Sequence, residues 1–272
     1  MAIEVFAPAK INLTLHVTGQ RTDGYHLLDS LVVFADVGDR LEIAPAPRMG
    51  LDVSGPFSVG VPTDERNLVW RAAVLAGVAG QISLEKNLPH GAGIGGGSSD
   101  AAAILRVLGA EAHASALGAD VPVCLLDIPQ RMRGIGEDVT PVGGVPALDL
   151  VLVNPGIHVP TPEAFKRLRT KDNAPMEDRL NWLDHAAFLA WLGEQRNDLQ
   201  TPAASGNPAI LAALKALKGA KLARMSGSGS TCFGVYADAQ AASDAAAGIA
   251  KKQPRWWVRA VKTVSSQTGP TS

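Results

Sequence analysis

Sulfur, aromatic rings and net charge are all scarce in this chain. Two cysteines, Cys124 and Cys232, are the whole stock in 272 residues, too few for a disulfide framework and without the spacing of a metal site. Each lies inside an apolar run, so both are expected to be buried free thiols in a reducing cytosol. The charges nearly cancel, with 25 basic residues against 26 acidic ones. No electrostatic footprint for nucleic acid or an anionic membrane results, and a small-molecule partner fits better. No uninterrupted apolar run approaches the ~18 residues of a membrane span. The opening MAIEVFAPAKINL lacks the basic start and long apolar core of a signal peptide. These absences predict a cytoplasmic chain with no membrane partner.

What is present suffices for a full core: 46% of the residues are apolar, and the length suits one large domain or two fused lobes. Alternating or β-branched apolar positions predict strands over 3–7, 11–18, 27–35 and 41–44. Helical spacing starts at Asn67, and a strand over 81–85 leads into a glycine-rich segment. A helix is expected from Ser98 or Ser99 to 108, then a shorter one over 112–117. After a further apolar stretch at 121–126 comes a strand over 149–153. Thr161-Pro162-Glu163 reads as a cap, a first-turn proline and an early acid, and Asn207-Pro208 repeats the signal. Strands over 222–225 and 232–237, an Ala-rich helix and a strand over 256–261 follow, with a polar tail expected to fray. Strands with helices laid on them indicate an α+β fold rather than a doubly wound parallel sheet.

The richest segment is LPHGAGIGGGSSDAAA, residues 88–103, with five glycines in seven positions ahead of two serines, an acid and strong helix formers. Only glycine lets backbone amides crowd around an anion without Cβ clashes, and a helix start behind it adds unpaired N–H groups and a favourable dipole. The segment therefore reads as a phosphate cradle. Three other readings compete. A purely structural turn seldom needs so many glycines. Gly91, Gly93 and Gly96 nominally fit G-x-G-x-x-G, but Leu88-Pro89-His90 intervenes where a Rossmann strand should end. A P-loop fails because no lysine precedes the serines. Elsewhere Lys10 and Asn12 stand two apart on a strand and share a face, while Asp120, before Val121-Pro122, could simply cap a turn. Asn67 has the position of a helix cap. Gly227 and Gly229 in SGSGSTCF form a second glycine turn, which hairpin geometry alone could demand.

PHGAGIGGGSSDAAA resembles the glycine-rich ATP loop of the GHMP kinases. APAKINLTLHVTGQRTDGYHLLDS resembles the opening of the diphosphocytidyl-methylerythritol kinases within that superfamily, and LGADVPVCL, Asn154-Pro155-Gly156, PTPEAF and SGSGSTCF extend the similarity in order along nearly the whole chain. The resemblance implies a two-lobed α+β fold with the active site in the cleft between lobes. It puts the ATP loop and base in 1–147 and the substrate side in 148–272. It implies transfer of the ATP γ-phosphate to the 2-hydroxyl of a cytidine diphosphate derivative in the non-mevalonate route to isoprenoid precursors, with Lys10 and Asp120 catalytic. Pro89, Gly91, Gly93, Ile94, Gly95, Gly96, Gly97, Ser98, Ser99 and Asn67 would bind ATP. Asn12, Tyr25, His26, Thr161, Pro162, Phe165, Gly227 and Gly229 would bind the acceptor, its cytosine stacked between aromatic rings and read beside the histidine. Mg2+ would arrive with ATP, with Ser98 or Ser99 supplying one oxygen, and no resident transition-metal site is expected. Another GHMP kinase, acting on homoserine, mevalonate or a sugar, is the nearest alternative. A catalytically dead nucleotide-binding regulator and a dehydrogenase follow.

Overall fold

The computed structural model describes residues 2–178 and 180–265. Along them run β1 (Ile3–Asn12), β2 (His16–Gln20), β3 (His26–Pro45), β4 (Gly50–Ser54), α1 (Leu68–Leu75), β5 (Gly80–Glu85), α2 (Gly96–Val107) and α3 (Ala114–Leu117). Then come β6 (Gln130–Gly134), β7 (Asp138–Pro141), β8 (Asp149–Asn154), α4 (Thr161–Lys166), α5 (His185–Glu194), α6 (Gln200–Ser205) and α7 (Pro208–Ala216). The described chain closes with β9 (Leu222–Met225), β10 (Cys232–Val235), α8 (Ala239–Lys252) and β11 (Trp257–Lys262). The α+β class stands. The fray expected of the tail falls, for 266–272, outside the described residues.

Two compact units share the chain. The first comprises the chain through Lys10 with Val37–His90 and Gly95–Asp127. In it β5 pairs antiparallel with the Arg40–Pro45 half of β3 and parallel with β4. Ile82 and Leu84 point inward from β5 while Ser83 and Glu85 face out, the alternation of a half-buried strand. Helices α1 and α2 pack together, and α2 buries an unbroken run from Ser99 to Leu105. Small alanines on α2 allow that close approach.

The second unit comprises Ile11–Asp36, Gly91–Ile94 and the chain from Ile128 onward. Here β2 and β6 pair antiparallel with the first half of β3, and β7 with β6. A separate antiparallel sheet runs in the order β11-β8-β10-β9. Its central strand β8 is buried from Leu150 to Asn154, which explains the continuous apolar run in the sequence. Helix α8 covers β8 and β11, and α7 covers β9 and β10.

Several expected boundaries move. The strands read over 27–35 and 41–44 are one strand, β3, because Gly38 continues it where a side chain would collide with the Ala7 carbonyl. Helix α2 begins at Gly96 rather than at Ser98 or Ser99, so the glycines make its first turn. Thr161 is the first residue of α4, and Pro160 holds the cap position without a side-chain bond. Both cysteines are free and buried, as expected. Burial pushes both thiols up, that of Cys232 to about 12. Among the described residues no helix is long and apolar enough to cross a membrane.

Candidate active site

In the first unit, Lys10 is 3% exposed and its Nζ donates to Asp120 Oδ2 at 2.8 Å. The Asp120 side chain remains 44% exposed, so the carboxylate both partners the buried ammonium and faces outward. Gly95, at φ 65°, precedes α2 against the Lys10 stem, where a β-carbon would lie 3.0 Å from Lys10 Cβ and 3.2 Å from Cε. Only glycine tolerates both that φ and that approach. The start of α2, with its unpaired N–H groups and dipole, is thus held beside the Lys10 and Asp120 pair. Ser98 is half-buried in the first turn, and the Ser99 hydroxyl is buried without a partner among the described residues. Asn67 caps α1, accepting from Val69 N–H at 2.9 Å and donating to the Pro62 carbonyl at 2.8 Å.

Beneath the glycines lies a cluster that sequence reasoning missed. Lys86 Nζ bonds to both Asp39 Oδ2 and Asp100 Oδ2, the latter at 2.7 Å. Asp39 Oδ1 accepts the N–H groups of Asn87 at 2.5 Å and Leu88 at 2.9 Å. All three side chains are buried. Burial, partly offset by Lys86, pushes the Asp100 carboxyl up to about 8. Burial opposes the charge on Lys86, but the two carboxylates outweigh it and hold its pKa above the usual lysine value. Asp39 and Lys86 stand 47 positions apart, and no local spacing announces such a partnership.

In the second unit, the backbone N–H of Asn12 donates to Ser226 Oγ at 3.1 Å, and Ser226 Oγ donates to the Gly93 carbonyl at 2.8 Å. A β-carbon on Gly227 would lie 2.9 Å from Gly93 O and 3.3 Å from Asn12 Oδ1. Asn12, Gly93 and Gly227 are therefore brought together, and Asn12 Oδ1 is buried with no partner among the described residues. Asn197 fixes the turn from below by donating to the carbonyls of Met225 at 2.7 Å and Gly227 at 2.9 Å. At Gly91 a side chain would collide with the His158 ring. Ser226, Asn197 and His158 were not singled out in the sequence; only Ser226, inside SGSGS, carried a signal.

The aromatic residues are arranged differently from a simple sandwich. His26 and Phe165 stack on each other with centroids 4.5 Å apart and planes 17° apart. That separation is one stacking distance, so no base fits between those two rings. Tyr25 is 60% exposed. Thr161 Oγ1 lies 2.8 Å from Ser228 Oγ, tying α4 to the second glycine turn. Burial, helped by the charge of Lys171, lowers the His26 pKa. Among the described residues no three His, Cys, Asp or Glu side chains group to hold a metal ion.

Comparison with known proteins gives first the class. The GHMP kinases N terminal domain family matches residues 67–127, and the GHMP kinases C terminal family matches residues 176–255. Solved structures of a homoserine kinase from Cytophaga hutchinsonii (TM-score 0.66, 19% identity, 97% of this chain and 95% of that one) and of the L. major mevalonate kinase (0.64, 18%, 97% and 96%) share the fold. The chain is an ATP-dependent kinase of the GHMP class.

The particular family follows from nearer relatives. The 4-diphosphocytidyl-2-C-methyl-D-erythritol kinases of Dinoroseobacter shibae and Paracoccus denitrificans are each 55% identical to it, over 93% of this chain and 92% and 94% of theirs. A crystal structure of 4-(cytidine 5'-diphospho)-2C-methyl-D-erythritol kinase superposes with TM-score 0.77 at 35% identity, over 97% of this chain and 100% of that one. The chain belongs to the 4-diphosphocytidyl-2-C-methyl-D-erythritol kinase family.

Proposed function

We propose that the chain phosphorylates the 2-hydroxyl of 4-diphosphocytidyl-2-C-methyl-D-erythritol with ATP, in the cytoplasm, as a step of the non-mevalonate route to isoprenoid precursors. The observation that carries the chemistry is the buried Lys10 ammonium 2.8 Å from a half-exposed Asp120 carboxylate. Asp120 orients the acceptor hydroxyl and takes its proton as the hydroxyl oxygen bonds to the γ-phosphorus. The bond from phosphorus to the β,γ-bridging oxygen breaks in line, and ADP leaves with that electron pair. Lys10 offsets the charge that gathers on the transferring phosphoryl group.

ATP lies along the glycine loop, from Pro89 through Gly91, Gly93, Ile94, Gly95, Gly96 and Gly97, its phosphates on backbone amides and the start of α2. Asn67 lines the adenosine side in addition to capping α1. Mg2+ needs few protein oxygens besides the phosphates, and the unpartnered Ser99 hydroxyl and the adjacent Ser98 suit that demand. The ion would neutralise phosphate charge. On the acceptor side, Asn12 Oδ1 has lone pairs free for a substrate hydroxyl. The cytosine stacks on the face of Phe165 away from His26, with Tyr25 covering it, while His26 supports the acceptor site by backing the Phe165 ring from its other face. Thr161, Pro162, Gly227 and Gly229 complete that wall.

ATP turnover with the cytidyl substrate beside homoserine and mevalonate tests the assignment. Preferred phosphorylation of the cytidyl compound is expected; preference for either competitor overturns it. Gly95→Val, which puts a β-branched side chain at φ 65° against Lys10, should abolish ATP binding in a folded protein. Unchanged nucleotide affinity would refute the cradle.

A further inference from the structure

We propose that Lys86 is a positioning residue for ATP, a buried clamp joining the lead-in of the glycine loop to helix α2. The inference rests on the glycine loop being the phosphate site, as proposed above. Lys86 follows β5 and directs two of its N–H donors, in a buried setting, to the carboxyl groups of Asp39 and Asp100. One of them, Asp39, also accepts the backbone N–H groups of Asn87 and Leu88 at 2.5 and 2.9 Å. It therefore fixes the chain as it enters the loop. The other, Asp100, sits on α2 just past the first turn and fixes the helix that receives the chain as it leaves.

The clamp also lies directly under the amides in question. A β-carbon on Gly96, the first residue of α2, would sit 3.5 Å from Lys86 Nζ and 3.6 Å from Asp39 Oδ2. The geometry exceeds what stability asks for. Two buried carboxyl groups share one ammonium, and Asp100 Oδ1 has no partner among the described residues, an arrangement that an apolar cluster of equal volume would match or better. Its product is a fixed spacing between loop entry and helix start, and amides placed in advance bind phosphate without first being ordered. The phosphates gain, and the cytidyl acceptor does not.

The test separates that role from mere stability. In the full-length enzyme, Lys86→Met and the double variant Lys86→Met/Asp100→Leu are compared with wild type for melting temperature, kcat and the KM of each substrate. The double variant should melt above Lys86→Met because fewer charges are stranded. Both should raise the KM for ATP about tenfold or more and leave that for the cytidyl substrate within about threefold, the scale expected of small misplacements. A double variant with restored melting temperature and wild-type KM for ATP overturns the clamp, as does an equal rise in both KM values.

Should neither variant fold, amide hydrogen exchange on the wild-type enzyme decides. Protection at Asn87, Leu88, Ser99 and Asp100 before ATP is added is expected, and protection that appears only with ATP refutes the inference. Gly95→Val distinguishes the two layers. If it spares ATP binding, the loop reading itself fails; if it abolishes binding while the Lys86 variants bind normally, only the clamp fails.

Discussion

At Asp120 the proposal comes down to one proton. Asp120→Asn keeps the shape of the side chain and its reach to Lys10 but cannot accept the hydroxyl proton. Turnover should drop by about 10²–10⁴-fold while both ligands bind within a few-fold, which single-turnover rates beside equilibrium binding would establish. Lys10→Ala should also cut turnover, and because the two groups touch at 2.8 Å the double variant should lose less than the product of the single losses. Near-normal turnover in Asp120→Asn would leave the residue a turn former and end the mechanism. The resemblance of the opening and of LGADVPV pointed to Lys10, Asn12 and Asp120, and the run of glycines to Gly95; strand alternation alone gave only the shared face of Lys10 and Asn12. Asp39 and Lys86 were not, since their partnership spans 47 positions. Asn197 likewise reaches its turn over 28 and 30 positions. Local periodicity reports which face a side chain takes, never what waits on that face.

Among the elements, helix α1 was easier to read than the long strand. Helix α1 began where Asn67 announced it, whereas β3 ran through Gly38 because a backbone neighbour, absent from any local pattern, requires glycine there. Strands β4, β6 and β7 and helices α5 and α6 escaped notice; QRMRG and DVTP carry little alternation, and their order comes from pairing. Helix α4 carries Phe165, half-buried against the core of the second unit and stacked on His26. Phe165→Ala should raise the KM for the cytidyl substrate and leave that for ATP unchanged, in keeping with ~1–3 kcal/mol for a base stacked on an aromatic ring. A matching loss for both substrates would assign the ring to the core alone. Strand β3 also supplies Asp29, which takes a two-pronged bond from Arg131 at 2.8 and 2.7 Å. Arg131 in turn binds the carbonyls of Met176 and Glu177. Asp29→Ala strands that guanidinium and should cost about 3–5 kcal/mol, visible as a lower urea midpoint; a cost below about 1 kcal/mol would make the bridge peripheral.

On the scale of the whole molecule, the pattern of strands and helices foretold the class of fold and the similarity foretold its family, but the weaving of the chain was hidden. Each compact unit gathers segments distant in sequence, and non-local pairing leaves no periodic trace. The buried charges such folding collects make global stability depend on pH in a way that can be signed. Burial raises the Asp100 carboxyl from 3.8 to about 8, so the folded state holds its proton more tightly than the unfolded state does. Between those values the unfolded chain binds fewer protons at this site, and the contribution of Asp100 to stability falls as pH rises. It is fully present below about pH 4 and lost by about pH 8. Asparagine cannot titrate. The stability of Asp100→Asn relative to wild type should therefore climb from pH 4 to pH 8, by no more than about 1.4 kcal/mol per pH unit for one proton, and level off above. Lowered His16 and His26 values act in both proteins and cancel in the comparison. Urea unfolding of the pair across that range reads the difference directly. A flat difference would mean that Lys86 keeps Asp100 ionised throughout, as an ordinary stabilising carboxylate whose contribution changes only below about pH 4.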